Sequence, residues 1–282
     1  MTDMSGRICL VTGATRGIGR ATAEALAKSG AHVLLHGRDS ASVGAVCREM
    51  VRYGQVDGVV GDLSSLAAVR KLATEVAAQY PRLDVLVNNA GTGTRRRQTT
   101  GDGYERTFAI NHLAPFLLTN LLLERLKAGK AARVVTVSSM AHRGAKLDFD
   151  DLNWETRKFS GLGAYGASKL ANILFTVELA SRLAGSGVTA NCLHPGLVAT
   201  GFNHNNGLIR SLAMTVLGVL SRSPERGAET LVWLAASPGV ANVSGGYFFD
   251  LRQKAPSAAA QDGEASRRLW EISEKQCAMA RA

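Results

Sequence analysis

Short apolar runs rich in β-branched residues alternate along this chain with longer stretches in which apolar side chains return every three or four positions. The short runs are Arg7–Thr12, His32–His36, Val56–Val60, Asp84–Val87, Arg133–Val137 and Val188–Leu193. Helical period falls on Ile18–Lys28, Ser40–Arg52, Ser64–Gln79, Tyr104–Lys127, Ala164–Ala184 and Pro224–Ala236, with Gly30 placed to end the first helix. Runs that are apolar on both faces belong to a sheet covered on both sides, which is what successive βαβ units build. The pattern therefore predicts an α/β fold: a doubly wound, mainly parallel sheet with helices on both faces. Gly246–Phe249 reads as a last strand and Gly263–Cys277 as a closing helix.

With 282 residues, 46% of them hydrophobic, the chain can bury one large core, and no linker or repeat divides it, so residues 1–282 are expected to form a single domain. No apolar run is long enough to span a bilayer and no signal segment precedes Arg7, so the expectation is a cytoplasmic protein. Cys9, Cys47, Cys192 and Cys277 stand far apart without metal-ligand spacing and read as reduced structural thiols; no metal is expected. The net charge of +10 could serve nucleic acid, an anionic membrane or an anionic small molecule. The densest cluster, Arg95-Arg96-Arg97, is short and has no interleaved aromatics, so it reads as a solvated loop and no nucleic-acid partner is expected.

Directly after the first strand comes Thr12-Gly13-Ala14-Thr15-Arg16-Gly17-Ile18-Gly19, opening the first helix. Glycine permits the tight turn and a close backbone approach, and the N–H groups of a helix start face an anion placed there. Three glycines alone could simply make a turn. Between a strand and a helix, among repeated βα units, they favour a dinucleotide pyrophosphate cradle. The second strand ends in Gly37-Arg38, where an acidic residue would bind a ribose 2′-hydroxyl; an acid repels a 2′-phosphate, whereas an arginine pairs with it. Arg16 adds a second cation. Arg38 could instead pair with Asp39 and Arg16 could face water, but arginines at both places favour NADP(H).

The spacing of Gly13, Gly17 and Gly19 resembles the Thr-Gly-x-x-x-Gly-x-Gly of the short-chain dehydrogenase/reductase family, and the resemblance runs on through Asp62-Leu63, Asn88-Asn89-Ala90-Gly91, Asn111, Ser139, Tyr165, Lys169 and Pro195-Gly196. It implies a Rossmann-type fold in which Gly13, Thr15, Arg16, Gly17, Ile18 and Gly19 hold the pyrophosphate side and Asp62 and Leu63 hold adenine. It further implies that Asn89, Ala90, Gly91, Pro195 and Gly196 shape the groove and that Thr200 lies near the carboxamide. Lys169 is implied to bind the nicotinamide ribose beside Tyr165, and Asn111 to anchor a water that links the lysine to solvent.

Tyr165 and Lys169 are four apart on one helix face. An ammonium there favours the phenolate, and bringing a tyrosine from about 10 to about 7 takes roughly 4 kcal/mol. Such a pair alone is weak, since surface helices carry it by chance. Ser139 ends the fifth strand at the carboxyl edge where open α/β sheets bind ligands, and would hold a substrate oxygen beside Tyr165; Ser138 faces the other way. A lone serine there could equally cap a helix. Asn111 sits in a leucine-rich helix, where a structural hydrogen bond competes with the water-anchoring role or coexists with it. His112 and His194 read as structural histidines, because the proton chemistry already has an occupant.

The 26-residue step from Ser139 to Tyr165 is longer than most members show and contains Asp148-Phe149-Asp150-Asp151-Leu152-Asn153-Trp154. With Asn111-His112-Leu113, Ser168-Lys169-Leu170-Ala171-Asn172 and Leu269-Trp270, this resembles the retinol dehydrogenase-like branch, which implies a lipophilic carbonyl or alcohol substrate; the expectation departs from that branch in having no N-terminal membrane anchor, which argues against retinoid substrates and membrane residence. Residues about 200–222 occupy the place of a substrate lid whose apolar side chains could line a pocket, touch a bilayer or pack in the core, and 252–282 form a C-terminal extension. The long helices carrying Asn111 and Tyr165 offer surplus apolar faces, so a homo-oligomer is expected. The alternatives are a non-catalytic NADP(H)-binding regulator and a membrane-surface module.

Overall fold

The computed structural model describes residues 2–196 and 222–279; Thr200 and nearly all of the lid lie outside them. Eight strands form one sheet in the order β3-β2-β1-β4-β5-β6-β7-β8. They are β1 (Ile8–Val11), β2 (His32–Gly37), β3 (Val56–Val60), β4 (Val85–Asn88), β5 (Arg133–Val137), β6 (Thr189–Leu193), β7 (Tyr247–Phe249) and β8 (Arg252–Gln253). All neighbours pair parallel except β7 and β8. Side chains alternate across the strands into two cores. Leu10, Leu34, Leu86 and Val134 enter one and Val11, Leu35, Val87 and Val135 the other, which is why these strands read as apolar throughout.

Helices α1 (Gly17–Lys28) and α2 (Ser40–Met50) cover one face together with α8 (Pro224–Ala236). On the other face lie α3 (Leu66–Gln79), α5 (Ala114–Leu121) and α7 (Gly161–Arg182). The single helix expected over Tyr104–Lys127 is broken. It runs as α4 (Arg106–Phe108), a wider π turn at Ala109–Leu113, α5, and α6 (Leu123–Lys127). Pro115 has no N–H to give to the carbonyl four residues back, that of Asn111, so regular helix pairing fails at that residue.

The last helix, α9 (Gly263–Gln276), lies across α7. Trp270, 5% exposed, meets Phe116 edge-on at 4.8 Å and stacks on Phe175 at 5.9 Å, with the Arg182 guanidinium 4.4 Å from its ring centre. The chain's own C-terminal extension thus covers the two long helices at Phe116 and Phe175, whereas Leu121 and Leu162 on the same helices stay exposed. Among the described residues no helix is long and apolar enough to cross a membrane. All four cysteines are free; Cys9, Cys192 and Cys277 are buried.

Trp270→Ala should cost about 3 to 5 kcal/mol of stability, the usual penalty for emptying a large buried aromatic site. Urea unfolding followed by circular dichroism measures it; a loss below about 1 kcal/mol would mean that α9 is not a packed part of the core.

Candidate active site

The strand order reverses at β1, whose neighbours β2 and β4 continue the sheet in opposite directions, so the loops after β1 and β4 border one crevice. Those loops are bonded to each other. The Thr12 hydroxyl donates to Val87 O (3.1 Å) and accepts the N–H groups of Asn89 (2.9 Å) and Ala90 (3.1 Å), while the Asn89 amide donates back to Thr12 O (2.8 Å) and Gly13 O (3.2 Å). Gly19 lies beneath them: a Cβ there would collide with Gly13 O and the Asn89 amide. Only glycine lets α1 start this close.

Each described helix of ten or more residues other than α1 begins with a side-chain cap, from Asp39, Ser65, Ser160, Ser223 or Asp262. Helix α1 starts at Arg16 with no side-chain cap and no acidic residue in its first turn. The N–H groups around Gly17, Ile18 and Gly19 therefore suit an external anion, and the glycine loop fits the pyrophosphate of a dinucleotide.

At the ends of β2 and β3 the structure gathers Thr15, Gly37, Arg38, Asp62 and Leu63. Thr15 packs beside Gly37, and Arg16 and Arg38 are both exposed, with no salt bridge among the described residues. Asp39 is spent on capping α2 through Ser42 N (2.8 Å) rather than on holding Arg38. Burial works to raise the Asp62 carboxyl, but hydrogen bonds from Ser64 and the charges of Arg38 and Arg106 hold it below the ordinary value. Leu63 is 5% exposed and anchors this end in the core.

Ser139, Tyr165 and Lys169 come together where α7 crosses the end of β5. Gly166 makes the approach possible, since a Cβ there would meet Ala141 O at 2.8 Å. Ser138, facing inward as expected, ties β5 to the helix by donating to Lys169 O (2.8 Å). The Ser139 hydroxyl accepts from Ala141 N (3.2 Å) and is hydrogen-bonded to Tyr165. The Lys169 ammonium, 2% exposed, donates to Val137 O (3.0 Å), beside the Asn172 amide on the same oxygen (3.1 Å). A Cβ on Gly91 would lie 3.4 Å from both Lys169 Nζ and Asn111 Oδ1, so the loop after β4 reaches this cluster. Pro195 and Gly196 follow β6, where Gly196 N donates to His194 Nδ1 (3.3 Å).

One reading changes. The expected lowering of Tyr165 by Lys169 is absent: burial pushes the phenol up, against the hydrogen bond from Ser139, and burial alone brings Lys169 down to about 8. The ammonium lies 5.7 Å from the centre of the tyrosine ring, and the dry surroundings penalise both charged forms. Asn111 has the structural hydrogen bonds that the sequence offered beside the water-anchoring role. Its Oδ1 accepts Thr92 N (2.7 Å) and its amide donates to Thr92 O (2.9 Å) and Ser168 Oγ (2.9 Å), so the side chain fastens the β4 loop.

Sequence reasoning passed over two buried histidines, His36 and His142. His142 Nδ1 donates to Ser139 O (2.7 Å) and its Nε2 accepts Ser257 N (3.2 Å), joining the serine turn to the C-terminal extension. The signal available was position: His142 is three residues past Ser139, within one turn. His112 and His194 are structural in their contacts. His112 bonds Ser273 Oγ of α9 (2.9 Å), and His194 stacks on Phe249 at 4.1 Å. A cleft of about 450 Å³ opens next to Ser139, lined by Met140, Arg143, His194, Gly196, Phe249 and Lys254 among others.

The profile of the family described as short chain dehydrogenase matches residues 7–208, and the chain belongs to that family. It is 44% identical over 274 residues to retinol dehydrogenase 13 of Homo sapiens, covering 94% of this chain and 82% of that one. Among solved structures it is similar to an uncharacterized protein from Mycobacterium Paratuberculosis, with 35% identity, a TM-score of 0.81 and coverage of 99% and 96% of the two chains. It is also similar to the Pseudomonas aeruginosa RhlG/NADP active-site complex, with 28% identity, a TM-score of 0.72 and coverage of 87% and 95%.

Three of the buried histidines stay uncharged in the fold: burial first of all lowers His36 to about 4, His112 to about 3 and His194 to about 4, all from 6.5. Below pH 6.5 the unfolded chain binds protons that the folded chain refuses, so stability falls as pH drops, by up to about 1.4 kcal/mol per pH unit for each imidazole. Urea midpoints should decline steadily between pH 7 and pH 5, above the range where carboxylates titrate. A flat midpoint across that window would contradict the neutral, buried assignment.

Proposed function

We propose that the chain is an NADP(H)-dependent oxidoreductase that reduces the carbonyl of a lipophilic or aromatic aldehyde or ketone. The observation that carries the chemistry is the Ser139–Tyr165 hydrogen bond beside a buried lysine at the mouth of the crevice. In this reading Ser139, oriented by Ala141 N, holds the substrate oxygen, and Tyr165 donates the proton to it. Burial keeps the phenol protonated until that step. Lys169 stabilises the tyrosine after proton loss and binds the ribose, while Asn111 fixes the loop that carries Asn89, Ala90 and Gly91 against the groove. A nicotinamide dinucleotide, when bound, supplies the hydride.

NADP(H) is favoured by Arg16 and Arg38 and by the packing at Gly37. A Cβ on that glycine would meet Thr15 Cγ2 and Val43 Cγ2, each at 2.6 Å, so a ribose-binding acid there would have to displace both methyl groups. The similar Pseudomonas aeruginosa RhlG/NADP active-site complex agrees with this choice. A lipophilic substrate is favoured by two large apolar side chains left exposed beside the chemistry, Leu162 at 77% one turn before Tyr165 and Met140 at 50% next to Ser139. The similarity to retinol dehydrogenase 13 points the same way, and the stacked His194 and Phe249 give the cleft a flat aromatic wall.

NADPH should bind at least about tenfold more tightly than NADH, the worth of one or two charge-assisted bonds to the 2′-phosphate. Arg38→Asp should erase the difference, whereas Gly37→Asp should weaken both cofactors by disturbing Thr15. Equal dissociation constants in the unmutated chain, by fluorescence titration, would reject the NADP(H) choice.

Tyr165→Phe should lower single-turnover reduction of retinal or benzaldehyde by about two to four orders of magnitude while leaving NADPH affinity nearly unchanged. Ser139→Ala should act mainly on the chemical step, and Lys169→Ala on both chemistry and binding. A folded Tyr165→Phe that retains more than about a tenth of the parental rate would remove the tyrosine from the role of acid.

A further inference from the structure

The glycine turn is not held by its own loop alone. Gly13 N–H donates to His36 Nδ1 (3.1 Å), and the next amide, Ala14 N–H, donates to His36 O (2.8 Å). One residue at the end of β2 thus anchors the turn after β1 through both its ring and its backbone. The other ring nitrogen, Nε2, lies 3.0 Å from Gly61 O past the end of β3, and Gly61 N donates in turn to Gly37 O (3.1 Å). A carbonyl can only accept and an amide N–H can only donate, so the proton is on Nε2 and Nδ1 presents a lone pair. Both ring nitrogens are satisfied, the residue is 1% exposed, and the imidazole bridges the ends of three neighbouring strands.

The consequence lies in which loop amides remain available. Gly13 and Ala14 spend their N–H groups on His36, which fixes the direction in which the chain leaves β1 at Gly13, where φ is +64°. That fixes the direction of the segment leading to Gly17–Gly19, where α1 begins without a side-chain cap. We infer that His36 is a positioning residue for the dinucleotide site: its imidazole holds the glycine turn in the shape that aims the start of α1 at the pyrophosphate. The inference rests on the cofactor reading above. Burial keeps the ring uncharged at neutral pH, with Asp62 the titratable group whose charge reaches it, so the acceptor at Nδ1 is permanently available there.

Substitutions separate the two ring contacts. Asn places its amide oxygen near the position of Nδ1 and can still accept from Gly13; Gln places its amide group near Nε2 and can still reach Gly61; Leu fills space and does neither. NADPH and NADH should be titrated by fluorescence against the unmutated chain and the variants His36→Asn, His36→Gln and His36→Leu, with thermal melts recorded without cofactor. His36→Asn should stay within about threefold of the parent, whereas His36→Gln and His36→Leu should weaken both dinucleotides by about tenfold or more. An equal loss for the two cofactors is the signature, because the pyrophosphate is common to both; Arg38→Asp should instead weaken NADPH alone. If His36→Leu does not fold, the contrast between Asn and Gln decides. Parental affinity in folded His36→Gln, or a loss confined to NADPH, overturns the inference while leaving the cofactor reading intact. Failure of the unmutated chain to bind either dinucleotide overturns both.

Discussion

The hydroxyl of Thr12 and the amide of Asn89 join the two halves of the sheet where the strand order reverses. One hydroxyl satisfies two backbone N–H groups and a carbonyl, and one side-chain amide closes two more carbonyls, all buried or nearly so. Without that exchange the loops after β1 and β4 would have to place their polar backbone independently of each other. Because they are locked, the uncapped start of α1 and the Gly91 turn border the same crevice.

A second set of contacts transmits the frame to the reacting groups. Val137 O takes the Lys169 ammonium and the Asn172 amide, Ser138 bonds the Lys169 carbonyl, and Gly166 admits the carbonyl of Ala141. The end of β5 and the middle of α7 are thereby one rigid unit, and Ser139 and Tyr165 project from its two sides. The same closeness dries the site. That is why burial raises the tyrosine and lowers the lysine instead of leaving a stable ion pair.

The longer parts of the chain brace this unit from outside. In the insert between Ser139 and Tyr165, Asp151 accepts Glu155 N (2.6 Å) and the Thr156 hydroxyl (2.9 Å), and Trp154 packs against the first turn of α7 at Gly163. Asn153 bonds both Arg97 (2.8 Å) and Glu105 N (3.0 Å), so the arginine-rich loop is half tied down, with Arg95 and Arg96 left in solvent. At the far end, Ser257 meets His142 and Trp270 fills the groove between Phe116 and Phe175. An extension that looks like an appendage in the sequence is part of the support for Ser139.

The sequence by itself determined the first seven strands to within a residue or two and the glycine turn, because these rest on local periodicity and spacing that a single chain displays, while the grouping of Ser139 with Tyr165 and Lys169 came from the family resemblance; the short antiparallel β8 was not read. It also showed the missing acid at Gly37, though not that Thr15 and Val43 fill the space. Tertiary structure alone decided the rest. The break at Asn111 needed Pro115 read together with the Thr92 loop; the direction of the Tyr165 and Lys169 shifts needed the depth of their burial; the use of the apolar helix faces needed α9 in place. His36 and His142 were invisible for the same reason. Nothing local marks a histidine as an acceptor for one particular backbone N–H, since its partner is chosen by strands and turns that meet only when the sheet has closed.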